Sequence, residues 1–409
     1  MKRALAALAA LIATSAWAAP PKPDAALLKA ATAEAPALTK TLQQLVEIET
    51  GSGDAEGLAA MGTLLEARLA ALGGKTERVK PMGEALGDII VARWQGKGQG
   101  KILLIAHMDT VYQRGALARA PFKLVGSPQG TLAYGPGVAD DKGGVALILH
   151  TLTLLSPRDY AELTVAINTD EERGSLGSGP IITELSKGKS AVLSFEPTGY
   201  PEAMTNGTSG TNTVIVTIKG KSAHAGAAPE SGINALAEAA NIINATRDLD
   251  QGPGKLRFNW TVVNQDRGVR NIIPDSVTLI GDLRIIDMAE FEPFKRALGQ
   301  RLAAPSQPGA VVNYEVRLNR PPFNVTPASM ALIEEAQATY ARLGRKLKLM
   351  PRTGGGTDAA FAALAGVPVL EALGLPGAGY HTTDAEYVYL EAVPSRLYLA
   401  ASLIRRLGR

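Results

Sequence analysis

Cysteine is absent from this 409-residue chain, which excludes disulfides and every thiolate metal site. Any bound metal must rest on His, Asp and Glu. Histidine is scarce too, with four in the chain, and charge bias is slight: 42 Lys and Arg against 39 Asp and Glu. No basic run interleaves with aromatic residues, so nucleic acid is not an expected partner. No internal repeat or low-complexity tract stands out. What remains is the composition of an ordinary soluble globular protein, 46% apolar and 20% charged, long enough for two or three domains.

The N-terminus departs from this pattern. Met1-Lys2-Arg3 is a short cationic head, residues 4–13 form an apolar run, and Ala16-Trp17-Ala18 offers small residues where a signal peptidase inspects them. The run is shorter than the roughly 20 apolar residues that span a bilayer. The expectation is a signal peptide over residues 1–19, a periplasmic or secreted protein, and no stable membrane anchor after cleavage. Pro20-Pro21-Lys22-Pro23 then reads as a flexible start to the mature chain.

Beyond the leader, helix and strand patterns alternate. Helical spacing occupies residues 24–48 and 57–72, and short apolar strands are predicted at 89–92, 102–107, 163–167 and 191–193. This alternation predicts an α/β layer with a mostly parallel central sheet. The rhythm changes after Gly207. Strands near 213–219, 256–263, 276–285 and 311–318, with helices near 233–247 and from 290, give the β-α-β-β-α-β order of a ferredoxin-like unit. The predicted division is residues 24–207 and 321–409 for one catalytic domain, with 208–320 inserted as an α+β domain.

The chemistry-bearing residues cluster at predicted strand ends, where α/β sheets collect their ligands. His107-Met108-Asp109 closes one strand and places His107 and Asp109 on one side. Asp140-Asp141-Lys142-Gly143-Gly144 precedes a helix, so either aspartate can serve as its N-cap or as a metal ligand. Asp170-Glu171-Glu172 follows the strand at 163–167; it is either a solvated turn or an acidic group that needs a cation. Glu196 lies just past another strand, and His381 ends the glycine segment Gly377-Ala378-Gly379. Two histidines and four or more carboxylates are the inventory of a dinuclear zinc site with a free acid beside it. His150 has no motif around it and reads as structural.

In this order, His-x-Asp, Asp-Asp-Lys-Gly-Gly, Asp-Glu-Glu, Glu-Pro and a late His, the chain resembles the co-catalytic zinc peptidase family of aminoacylases, succinyl-diaminopimelate desuccinylases and bacterial glutamate carboxypeptidases. Within it, the sequence looks most like the folate-cleaving glutamate carboxypeptidases of the carboxypeptidase G type. The resemblance implies two zinc ions per subunit. His107 and Glu196 would bind one, Glu172 and His381 the other, and Asp140 would bridge them. It also implies Glu171 as general base and acid, Asp109 as the residue orienting His107, and a cis peptide between Asp140 and Asp141. The inserted unit becomes a dimerisation (lid) domain, with His224 reaching the partner subunit's site in a homodimer to stabilise an oxyanion.

Substrate contacts implied by the resemblance are Arg284, Asn271, Arg320 and Gly356. Arginine suits a carboxylate because its planar fork binds both oxygens. The expected substrate is a small peptide or N-acyl amino acid, with glutamate released from its C-terminus. One departure matters: the lysine that helps such relatives recognise glutamate has no counterpart in Pro201-Glu202-Ala203-Met204-Thr205-Asn206. An aminoacylase, dipeptidase or desuccinylase remains the alternative activity. A non-catalytic periplasmic zinc-binding protein is the alternative of a different class.

Overall fold

The computed structural model describes residues 22–409 apart from 266, 267 and 383. The predicted leader, residues 1–19, lies outside the described residues. Among these residues no helix is long and apolar enough to cross a membrane.

A six-stranded sheet runs in the order Lys75–Val79, Ile89–Gln95, Glu162–Asn168, Lys101–His107, Ala191–Ser194, Val369–Leu370. Its last four strands are mutually parallel, and near one edge Ile89–Gln95 alone runs the opposite way, antiparallel to both its neighbours. The sheet is therefore mixed, parallel where the site is built. Burial on both faces explains the uninterrupted apolar run of Lys101–His107. Ile102 and Leu104 face a core that includes the helices Ala25–Val46, Lys142–Leu152 and Val393–Gly408. Leu103 and Ile105 face a second core with Gly179–Ser186 and Ala359–Ala363. Each such side chain contributes roughly 1.5–3 kcal/mol by leaving water.

The last helix closes the first core. Its Leu397, Leu399 and Ile404 are fully buried alongside Leu38 and Leu42 of Ala25–Val46. The Tyr398 hydroxyl accepts from the Asp24 amide at 3.0 Å, and the Gly408 carbonyl accepts from the Gln99 amide at 2.7 Å. His150, expected to be structural, joins two helices: Nδ1 lies 2.6 Å from Glu34 and Nε2 lies 2.8 Å from Thr41.

A separate antiparallel sheet takes the order Arg257–Gln265, Ser276–Ile285, Gly210–Lys219, Val311–Arg320. With the helices Ala235–Ala245 and Phe291–Leu302 it has the predicted β-α-β-β-α-β order. Burial alternates along Gly210–Lys219 and Ser276–Ile285, so Val214, Val216, Leu279 and Leu283 pack with the helices in a core of their own. The opposite face is free for other uses.

Sequence reasoning did not anticipate the small sheet that pairs Lys123–Ser127, Gly130–Tyr134, Tyr387–Tyr389 and Gly377–Ala378. Lys123–Ser127 is almost wholly exposed and lacks a buried alternating face, so it carries no strand signature. This sheet brings the late Gly377-Ala378 segment to the rim of the main sheet.

Candidate active site

The parallel strands Lys101–His107, Glu162–Asn168 and Ala191–Ser194 end on one side, which delivers His107, Glu171-Glu172 and Glu196 to a common place. Asp141 and Asp140 divide the two roles weighed above. The Asp141 carboxylate caps Lys142–Leu152 through the Gly144 amide at 3.2 Å. Its neighbour Asp140, joined by a cis peptide bond, turns toward the histidines.

Asp140 Oδ1 lies 3.0 Å from His107 Nε2, while its Oδ2 lies 3.5 Å from His381 Nε2. Glu196 Oε1 is 3.7 Å from His107 Nε2, and Glu172 Oε2 is 3.3 Å from His381 Nε2. Two triads result, His107-Asp140-Glu196 and Asp140-Glu172-His381, sharing one aspartate. Tetrahedral zinc with bonds of about 2.0–2.1 Å sets its ligand atoms roughly 3.3 Å apart. The spacings here fit that requirement, and the donors are the nitrogen and oxygen atoms zinc accepts.

The electrostatics also call for cations. Glu172 Oε1 is buried with no hydrogen-bond partner. Burial pushes the Glu172 carboxyl up, and does so more strongly at Glu196, where Glu171 and Asp140 add to it. Hydrogen bonds that it donates to Asp140 and Glu172 push the His381 imidazole up to about 10. Burial works against charging His107, yet Glu196, Asp109 and Asp140 hold it well above the usual imidazole range. A carboxylate-rich pocket in which both imidazoles are drawn toward the charged form is short of positive charge.

Glu171 belongs to neither triad. Burial pushes its carboxyl up to about 8, opposed by the Arg320 guanidinium, whose Nη1 lies 2.6 Å from Oε1. Arg320 also donates through Nη2 to the Glu171 carbonyl at 2.6 Å and to Ser175 Oγ at 3.0 Å. Although expected to hold substrate, this arginine is 4% exposed and is already engaged with the acid.

Asp109 is completely buried, and its contacts extend beyond His107. His107 Nδ1 is 3.0 Å from the Asp109 carbonyl oxygen and 3.4 Å from the carboxylate. The carboxylate also accepts from the amides of Glu171 at 3.1 Å and Glu172 at 3.2 Å, and from Ser52 Oγ at 2.7 Å. It clamps the turn that carries both acids.

A residue missed in the sequence does similar work opposite. Glu386 accepts from the amides of Gly137, Ala139 and Asp140 at 3.1, 2.8 and 3.0 Å, and from the Tyr112 hydroxyl. It fixes the loop holding the shared aspartate, from 246 residues away in the chain. No local motif announces it.

A cavity of about 690 Å³ opens over the cluster. Glu171, Glu172, Glu196 and His381 line one side, and Arg284, Gly356 and Arg320 line the other. Arg284 Nε lies 2.9 Å from Asp282, and its Nη1 donates to the Gly354 carbonyl at 3.2 Å. Gly356 is closely packed: a Cβ there would meet Thr211 and Arg320 at 2.9 Å. Arg257, Asn259 and Thr211 also line the cavity and went unnoticed in the sequence. His224 and Asn271 do not line it. They sit together in the second unit, where the Ala225 amide donates to the Asn271 carbonyl at 2.9 Å. His224 is exposed, and its Nδ1 accepts from the Gly226 and Ala227 amides at 3.2 and 3.1 Å.

Residues 103–406, which supply every member of this cluster, match peptidase family M20/M25/M40. The chain belongs to that family. This M20/M25/M40 peptidase is 50% identical over 391 residues to carboxypeptidase G2 of Pseudomonas sp. (strain RS-16), covering 95% of this chain and 93% of that protein. Among solved structures it resembles a tripeptidase from Staphylococcus aureus with a TM-score of 0.76 at 21% identity, over 92% of this chain and 99% of that one. It also resembles an M20 family metallo-carboxypeptidase from Sulfolobus solfataricus, with a TM-score of 0.72 at 14% identity, over 91% and 99%. At such identities these two structures speak for the fold alone.

Proposed function

We propose that this protein is a zinc-dependent carboxypeptidase that hydrolyses the amide bond of a C-terminal amino acid, glutamate above all, in N-acyl, peptidyl or folate-like conjugates. The observation that carries this reading is the pair of ligand triads sharing Asp140, with Glu171 outside both yet beside them. The likeness to carboxypeptidase G2 supports the choice among the family's activities.

In this reading His107, Asp140 and Glu196 hold one zinc ion and Asp140, Glu172 and His381 a second, two per subunit. When bound, the ions supply Lewis acidity that makes a water easier to deprotonate and polarises the scissile carbonyl. Glu171 takes the proton from the attacking water and returns it to the leaving nitrogen. Arg320 acts on the acid rather than on substrate: the ion pair opposes burial, favours the carboxylate and fixes its rotamer. Asp109 and Glu386 position the ligand-bearing backbone. Arg284 binds the terminal carboxylate, and Gly356 lets the substrate backbone approach.

His224 and Asn271 complete the site from a second copy, so the working form is a homodimer. Residues 208–320 form the dimerisation (lid) domain inserted between catalytic segments 24–207 and 321–409. The cationic, apolar and small-residue pattern of residues 1–19 supports export to the periplasm or beyond.

A Glu171→Gln variant tests the base. It should keep its zinc by metal analysis while turnover drops by roughly 10²–10⁴-fold; unchanged turnover refutes the assignment. The same variant addresses the non-catalytic reading, because a storage site has no use for an unliganded acid. Offering acyl-amino acids, dipeptides and N-succinyl substrates beside glutamate conjugates separates carboxypeptidase from aminoacylase, dipeptidase and desuccinylase.

A further inference from the structure

The open face of the second sheet carries an ordered row of cations. Arg257 pairs with Arg284 across neighbouring strands. Arg284 pairs in turn with Thr211, and Thr211 with Arg320. Directly opposed residues share a face, so one line of side chains crosses all four strands, three of them arginines, and each of the four lines the cavity over the metal cluster.

The two neighbouring arginines at one end of the row, Arg257 and Arg284, are each held by an aspartate on Nε. Arg257 gives its Nε to Asp250 at 2.7 Å, and Arg284 gives its Nε to Asp282 at 2.9 Å. An aspartate on Nε fixes each guanidinium plane; in Arg284, Nη1 also donates to the Gly354 carbonyl at 3.2 Å, which leaves Nη2 to face a ligand. For Arg257, no hydrogen bond to the terminal nitrogens occurs among the described residues, and its side chain is 42% exposed. Neighbouring strands lie roughly 4.8 Å apart. Forks mounted on adjacent strands therefore match two carboxylates separated by two or three carbons, the spacing within aspartate or glutamate. Planar, bidentate arginine contacts are the geometry that carboxylates favour. No cation comes from residues 201–206, where Ala203–Thr205 is a buried strand.

We propose that Arg257 is a specificity-determining residue that binds the side-chain carboxylate of a dicarboxylic C-terminal amino acid while Arg284 binds its α-carboxylate. The inference rests on the carboxypeptidase reading above. Asn259, on the same face two residues along, borders the subsite and adds a neutral polar contact. Arg320, at the far end of the row, stays with Glu171. The row thus divides its labour: two cations for the leaving amino acid, one for the acid that attacks it.

The test compares kcat/KM of the zinc-loaded enzyme on N-benzoyl-Glu, N-benzoyl-Gln and N-benzoyl-Leu. Wild type should prefer Glu over Gln, and Arg257→Gln should cut that ratio by roughly 10–100-fold, mostly through KM. Arg257→Lys, which keeps the charge without the fork, should restore part of the ratio. A measurement on wild type alone guards against a misfolded variant: free glutamate should inhibit competitively at least roughly ten times more tightly than glutamine. Equal inhibition by the two, or an unchanged ratio in Arg257→Gln, overturns the role of Arg257 and leaves the carboxypeptidase reading standing. No hydrolysis of any acyl amino acid by wild type overturns both.

Discussion

At the scale of single residues, the proposed site separates side chains that would touch the chemistry from those that would hold them. His107, Asp140, Glu172, Glu196 and His381 were legible because each follows a recognisable local pattern, an apolar strand or a glycine segment. Glu386 was not, since its importance lies in three amides distant in sequence. Those amides demand an acceptor at both oxygens, and Glu386→Gln turns one oxygen into a donor that faces donors. Zinc affinity, measured by competition with a chelator, should fall by about 10–100-fold, in line with other supports of metal ligands; an unaltered affinity would rule out the positioning role. Arg257 was equally silent in the sequence, because a row across four strands exists only once the register is set.

At the scale of elements, the helix Lys142–Leu152 links folding to the site. It starts where Asp141 caps it, one residue after the shared aspartate, and packs between the main sheet and the closing helix. Gly144 permits this approach: a Cβ there would stand 2.2 Å from both Asp141 Oδ1 and the Phe195 carbonyl. Gly144→Ala should therefore cost about 1–3 kcal/mol in chemical denaturation and lower zinc content together. Wild-type stability and zinc content in this variant would refute the link. The helices and strands that were given bounds lie close to their observed limits, but the helices Gly179–Ser186, Pro327–Arg342 and Val393–Gly408 were given none; the exposed hairpin strand Lys123–Ser127 was missed because burial periodicity is the signal and that strand has none.

At the scale of the whole molecule, the second unit has the expected β-α-β-β-α-β order of elements, but a single chain leaves His224 and Asn271 away from the cavity. If they act across a dimer, two defective variants should complement one another. His224→Ala and Glu171→Gln are each expected to be nearly inactive alone. After dissociation and random reassociation, half the dimers are mixed and half their sites complete, so roughly a quarter of wild-type activity should return. Mixtures no more active than their parts would place His224 outside the partner's site.

The helix Val393–Gly408 stands far along the chain from the helix Ala25–Val46, yet the two share one apolar core against the main sheet. A chain cut before Val393 carries a greasy trench where Leu397, Leu399 and Ile404 belong. Proteases and chaperones read such surfaces as damage. One helix, distant in sequence from what it covers, thereby decides whether the folded molecule is kept or cleared.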